Sequence, residues 1–128
     1  PETSFDGGVA VGVSRQVTVA ETDEKALKIA GPAYQVWHNS LTKLWRENQV
    51  EGPVFARTAV DTVEKAMAGG AHIAGSPQTV SELLGEQIEA LGVNYMVIAF
   101  NIGSMPHEDS VRSLTMFANE VMPALETL

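Results

Sequence analysis

The sequence predicts an α/β fold built on a small parallel sheet. Two patterns carry the prediction. Strand periodicity gives way to helical periodicity three times, in the order β-α-α-β-α-β-α, and such alternation builds parallel sheets through right-handed crossovers. The segment 93–100 is apolar except at Asn94, and a strand apolar on both faces is the mark of a buried parallel sheet. The 128 residues suffice for one domain, with 45% hydrophobic and 19% charged, an ordinary globular balance.

Each element has a local reason. Residues 1–8 are polar and glycine-rich and read as a loose end. Val11, Val13, Arg15, Val17 and Val19 then alternate with polar or small neighbours, which predicts the first strand. Thr22 is a good helix cap, and Asp23 and Glu24 follow in the first turn, where the helix dipole favours acids. Ala26, Leu27, Ala30, Ala33, Trp37, Leu41, Leu44 and Trp45 recur at steps of three and four along this helix. Gly31 and Pro32 interrupt it, predicting a kink or two helices end to end.

Residues 48–57 read as a loop turning at Gly52–Pro53, followed by a helix over 58–68 that Gly69 and Gly70 end. Residues 71–74 suit a short strand. Ser76 then caps a helix with Pro77 at its first position, where a missing N–H costs nothing. Val80, Leu83, Leu84, Ile88 and Leu91 keep helical period until Gly92. After the strand over 93–100, the loop 101–106 leads to a last helix, predicted to turn Val111, Leu114, Phe117, Ala118, Val121 and Leu125 inward, with Pro123 fraying or kinking its end. Three parallel strands leave two open edges, a liability that predicts a further partner surface.

Composition excludes several function classes. The chain has no cysteine, which removes disulfides, thiolate zinc sites, iron–sulfur clusters and cysteine nucleophiles. The net charge is −8, and after Lys65 the only base is Arg112. Without a cluster of Lys and Arg, neither nucleic acid nor an anionic membrane surface is an expected partner. No apolar run reaches spanning length and no signal-peptide layout is present. The expectation is a soluble, cytoplasmic protein.

Three motifs then point to one family. The stretch from Arg15 through Val17, Val19, Glu21, Thr22 and Asp23 to Ala26 resembles a strand-to-helix junction late in bacterial-luciferase-like, flavin-dependent monooxygenases. Gly75–Ser76–Pro77–Gln78–Thr79–Val80 resembles the same family's GSPETV turn. The tail is similar too, with Gly103, Met105–Pro106–His107–Glu108, Ser113–Leu114, Phe117 and Glu120–Val121–Met122–Pro123. The resemblance implies that residues 1–128 form the C-terminal part of a (β/α)₈ TIM barrel, supplying strands six, seven and eight with their covering helices.

The resemblance also implies a function. The whole protein would be an oxidoreductase that oxidises a small organic substrate with reduced flavin and oxygen. The cofactor would be FMN, with a deazaflavin as the alternative. The family's N-terminal half, which holds most flavin contacts and the commonly cited catalytic histidine, has no counterpart in this sequence, so the segment is expected to be inactive alone. The alternative is a non-catalytic half-barrel module that self-associates, and in either case a homo-oligomer is expected.

In a barrel, chemistry sits where strands end and helices begin. That rule selects Gly75, Ser76, Phe100, Asn101 and Gly103 as cofactor-binding candidates. Gly75 and Ser76 would place a flavin phosphate or ring edge on a helix N-terminus, or Ser76 is simply a cap. Phe100, Asn101 and Gly103 would wall the pocket, or form a plain turn. His107, Glu108 and Asp109 are neighbours in sequence and point to different faces of a helix, so no metal site is expected there. His38 and His72 lack ligand spacing, and His72 is expected to be a packed or hydrogen-bonded histidine. Trp37 and Trp45, with Tyr34 and Leu41, read as a packing stripe on one helical face.

Overall fold

The computed structural model describes residues 9–54 and 59–126. The loose end over 1–8, part of the loop over 48–57, and the expected helix start at Thr58 lie outside the described residues. Three strands, β1 (Gly12–Val19), β2 (His72–Gly75) and β3 (Tyr95–Ala99), form one parallel sheet. The helices are α1 (Asp23–Asn48), α2 (Val63–Ala68), α3 (Pro77–Leu91), α4 (His107–Met116) and the short α5 (Met122–Leu125). A wider π-helical turn, Phe117–Val121, joins the last two. Pro123 explains its position: a proline has no N–H to return to the Asn119 carbonyl, and its ring presses on that group, so the turn before it opens.

The expected α/β unit of three parallel strands with covering helices is present. Its strand order is β2-β1-β3. A barrel winds consecutive strands side by side; here the first strand is central and both later strands pair with it. Gln16 to Val19 pair with His72 to Gly75. Gly12 to Gln16 pair with Tyr95 to Ala99.

Strand alternation splits the core between the two sheet faces. On one face Ala74 packs with Ala26, Ala30, Ala33 and Tyr34 of α1 and with Val63 and Ala66 of α2. On the other, Val17, Val19 and Ile73 pack with Val80 and Leu84 of α3 and with Phe117 and Val121 of the π turn. The second half of β1 and the whole of β2 are therefore covered from both sides.

Two helix starts, under the Thr22 and Ser76 caps, follow the sequence. Thr22, Thr62 and Ser76 each accept from the amide three residues on. Two expectations are corrected. Of the two outcomes expected at Gly31–Pro32, two separate helices are overturned: α1 continues through Pro32 as one helix, its small-residue face packed against the sheet. The second helix begins at Val63 under its Thr62 cap.

Burial corrects two further readings. Strand β3 is not buried on both faces: Val97 is 51% exposed, while Met96 and Ile98 turn toward α3 and the π turn. Helix α4 turns serines inward, Ser110 and Ser113, and leaves Val111 and Leu114 about half exposed. The reason is backbone demand. Ser113 accepts from the Val19 amide, and Ser110 donates to the Phe100 carbonyl. Among the described residues, no helix is long and apolar enough to cross a membrane.

Candidate functional site

Strand order locates the site. After β1 the chain passes into α1 on one face; after β3 it passes into α4 on the other. Where neighbouring strands send their connections to opposite faces, a crevice opens outside their carboxyl ends. A cleft of about 740 Å³ lies there, between the first half of α1 and the loop after β3. That is a size suited to a small molecule.

One wall carries Lys28, Ile29 and Pro32 of α1; the other carries Ser104, Pro106 and Asp109. The floor is apolar and the rim is polar. Pro32 has no N–H to return to the Lys28 carbonyl, which adds an acceptor on this wall. Lys25 is engaged with Glu21 at 2.8 Å, and Asp109 with Arg112 at 2.8 Å. Lys28 has no carboxylate partner among the described residues, which leaves one cation for an anionic ligand.

Gly103 holds the loop to α1. Its φ is +52°, and an added Cβ would lie 1.9 Å from the Ala33 carbonyl oxygen. Only a glycine permits that approach. Ile102 and Met105, on either side, bury into the core under α1. Of the other candidates in this loop, Asn101 is exposed, and Phe100 turns away to meet Phe117 edge-on at 5.1 Å.

Gly75 and Ser76 lie across β1 from that loop and do not line the cleft. Ser76 is the cap of α3, and its amide donates to Asp23 Oδ1 at 2.7 Å. Thr79 donates its hydroxyl to Asp23 Oδ2 at 3.1 Å. These two hydrogen bonds, the Ser76 amide first, hold the Asp23 carboxyl below its ordinary range. The five expected contact residues therefore fall into two groups on either side of β1. Asp23 and Lys28 were not anticipated, whereas Ser104 ends the stretch from Phe100 that was expected to wall the pocket. For Asp23 the signal was an acid opening a helix directly after a strand, but its reach to Ser76 depends on the pairing of Val19 with Gly75.

A second polar cluster is buried beneath α1. His72 is shut from solvent, with Nδ1 3.2 Å from Gln16 Oε1 and Nε2 3.3 Å from Thr18 Oγ1. Burial pushes its pKa down to about 4, so the ring is neutral. Tyr34 stands edge-on to it and donates its hydroxyl to the Val60 carbonyl at 2.8 Å. This is the hydrogen-bonded core histidine that the sequence leads one to expect. Among the described residues no group of three or more His, Asp or Glu side chains is placed to hold a metal.

Comparisons with known proteins bear on this geometry. No family model matches the chain. An uncharacterised protein of Sinorhizobium fredii, y4wF, is 25% identical over 112 residues, covering 88% of this chain and 32% of that protein. Among solved structures, the monooxygenase RslO1 of Streptomyces bottropensis superposes with a TM-score of 0.68 at 20% identity, over 88% of this chain and 30% of that one. The oxygenating constituent of 3,6-diketocamphane monooxygenase from Pseudomonas putida, a type II Baeyer–Villiger enzyme in complex with FMN, gives 0.62 at 20% identity, over 89% and 33%. MsnO8 in its apo form gives 0.59 at 20% identity, over 94% and 36%. The chain thus spans about a third of the length of each of these four proteins, and its three-stranded parallel α/β unit has the fold of that third of the three solved structures.

Proposed function

We propose that this chain is the C-terminal segment of a luciferase-like, flavin-dependent monooxygenase whose whole form oxidises a small organic substrate with reduced flavin and oxygen. The observation that carries the reading is the superposition of nearly the whole segment on a monooxygenase solved with FMN. A bound reduced flavin supplies the electrons for that chemistry. The cleft between α1 and the loop after β3 suits a flavin in size and offers Lys28 and the Ser104 hydroxyl. The start of α3 does not suit the flavin phosphate, because the Asp23 carboxylate already holds its donors. A deazaflavin is the alternative cofactor.

The test compares the protein that carries this segment with the segment alone. The whole protein should bind reduced flavin and couple it to oxygen-dependent substrate oxidation. The segment alone should bind flavin more weakly than micromolar. A whole protein that binds no flavin would overturn the reading.

A second reading, a non-catalytic module that self-associates, is favoured by one observation. An apolar cleft of about 440 Å³ beside β3 is walled by Met96, Ile98 and Phe117, with Leu114 and Met122 at its margin about half exposed. Such a surface suits burial against a second copy. Light scattering separates the readings: a concentration-dependent dimer without flavin binding by the whole protein favours the module.

A further inference from the structure

The start of α3 holds the usual parts of a phosphate cradle: a glycine before the cap, a serine at it, amides pointing outward and a threonine one turn on. The Ser76 amide and hydroxyl and the Thr79 amide and hydroxyl are all engaged inside the chain. Asp23 Oδ1 accepts from the Ser76 amide at 2.7 Å, and Oδ2 accepts from the Thr79 hydroxyl at 3.1 Å. Ser76 Oγ accepts from the Thr79 amide at 3.3 Å and lies 3.1 Å from Thr79 Oγ1. A Cβ at Gly75 would fall 2.9 Å from Asp23 Oδ1 and 2.9 Å from Thr79 Cβ. The glycine thus leaves room for the chain's own carboxylate.

Asp23 is also the first residue of α1. Its carboxylate lies between the positive ends of two helices, where both dipoles favour a negative charge. Lys25, two residues on, is taken up by Glu21. A phosphate arriving at Ser76 would meet a like charge, with the nearby Lys25 already engaged.

We infer that Asp23 is a built-in substitute for phosphate, which closes the start of α3 to phosphate groups and makes this segment indifferent to whether a flavin carries one there. The inference rests on the flavin reading only for the name of the excluded cofactor; the exclusion of phosphate does not depend on it.

The probe is inorganic phosphate, followed through the amide resonances of Ser76 and Thr79 in the 128-residue chain. The unaltered chain should show no saturable shift at either amide. Asp23→Ala should show a saturable shift at both, with affinity raised about tenfold or more once the competing charge is gone. Asp23→Asn keeps a neutral acceptor for the Ser76 amide, so it preserves the local packing and should gain phosphate binding more modestly. The helix α1 keeps its own Thr22 cap in both variants. Saturable phosphate binding to the unaltered chain at these amides would overturn the inference, and so would a folded Asp23→Asn that gains none. Riboflavin and FMN provide the second arm. Flavin binding by the whole protein without shifts at Ser76 and Thr79 supports the inference, whichever flavin binds tighter; FMN binding that shifts both amides where riboflavin does not overturns it. Binding of neither flavin would defeat the flavin reading and leave the phosphate result standing.

Discussion

The Val19 amide donates to the Ser113 hydroxyl at 2.8 Å, wholly out of solvent. Strand geometry explains the pair. The amides of Gln16 and Ala20 point to the β2 side, reaching Ala71 and Gly75, so alternation turns the Val19 amide to the β3 side. There β3 has already ended, opposite Gln16. A serine on α4 completes the ladder where the strand does not. Ser113→Ala leaves a buried donor unsatisfied and should cost about 1–3 kcal/mol, read as a lower urea midpoint with unchanged slope. A loss within the ordinary surface range would mean that water reaches Val19.

Leu84 and Ile98 lie on facing layers, helix against strand, in the core between α3 and the sheet. Leu84 is fully enclosed, and Leu84→Ala should cost about 2–5 kcal/mol. Ile98 is only half-buried, so Ile98→Ala should cost less than that, below about 2 kcal/mol. Equal losses would mean that β3 is covered more fully than the sheet order implies. Chemical denaturation of both variants checks this.

Gly103→Ala should be the most damaging single-methyl addition in the loop after β3. It combines a backbone at φ +52° with a Cβ only 1.9 Å from the Ala33 carbonyl oxygen, so the loop must lift from α1. The expected cost is above about 2 kcal/mol. Faster amide exchange over residues 101–106 should accompany it. An unchanged exchange pattern would show that the loop is held by Ile102 and Met105 alone.

Stability should fall in acid because of His72. Its pKa is about 4 when folded, lowered by burial from 6.5. Between those values the unfolded chain binds the proton and the folded chain does not. The stability contribution is therefore complete above pH 6.5 and is lost as pH falls toward 4, by roughly 3 kcal/mol in all. His72→Gln, which cannot titrate, should show a flatter acid limb whatever its stability at neutral pH. Parallel acid limbs in the two proteins would assign the acid loss to carboxylates.

The sequence made several helix ends legible because caps are local: Thr22 and Ser76 with Pro77 at starts, and Gly92 at a finish, each act within one turn. The parallel sheet was legible from alternation of elements. Strand order was not, since β1 shows the same pattern whether it lies centrally or at an edge. Ser110 and Ser113 escaped because an inward serine breaks the apolar period that marks a core face; only the position of the Val19 and Phe100 backbone groups explains it. At the candidate site, Gly103 was selected for its place in the loop, and its need for positive φ emerged from the approach to Ala33. Lys28 and Ser104 meet only once the loop after β3 has folded over α1, which no local pattern announces.

The central position of β1 has a consequence for how the molecule assembles. It precedes both of its neighbours in the chain, and both come late: Gln16 meets His72 56 residues on, and Val11 meets Asn94 83 residues on. Every sheet contact therefore closes a long loop, which raises contact order and slows folding. Until β2 arrives, the apolar positions of β1 stand ready to pair with another nascent chain. Formation of α1, whose contacts along the helix are local, precedes completion of the sheet it covers, and refolding should show helix signal well ahead of burial at Val17 and Val19.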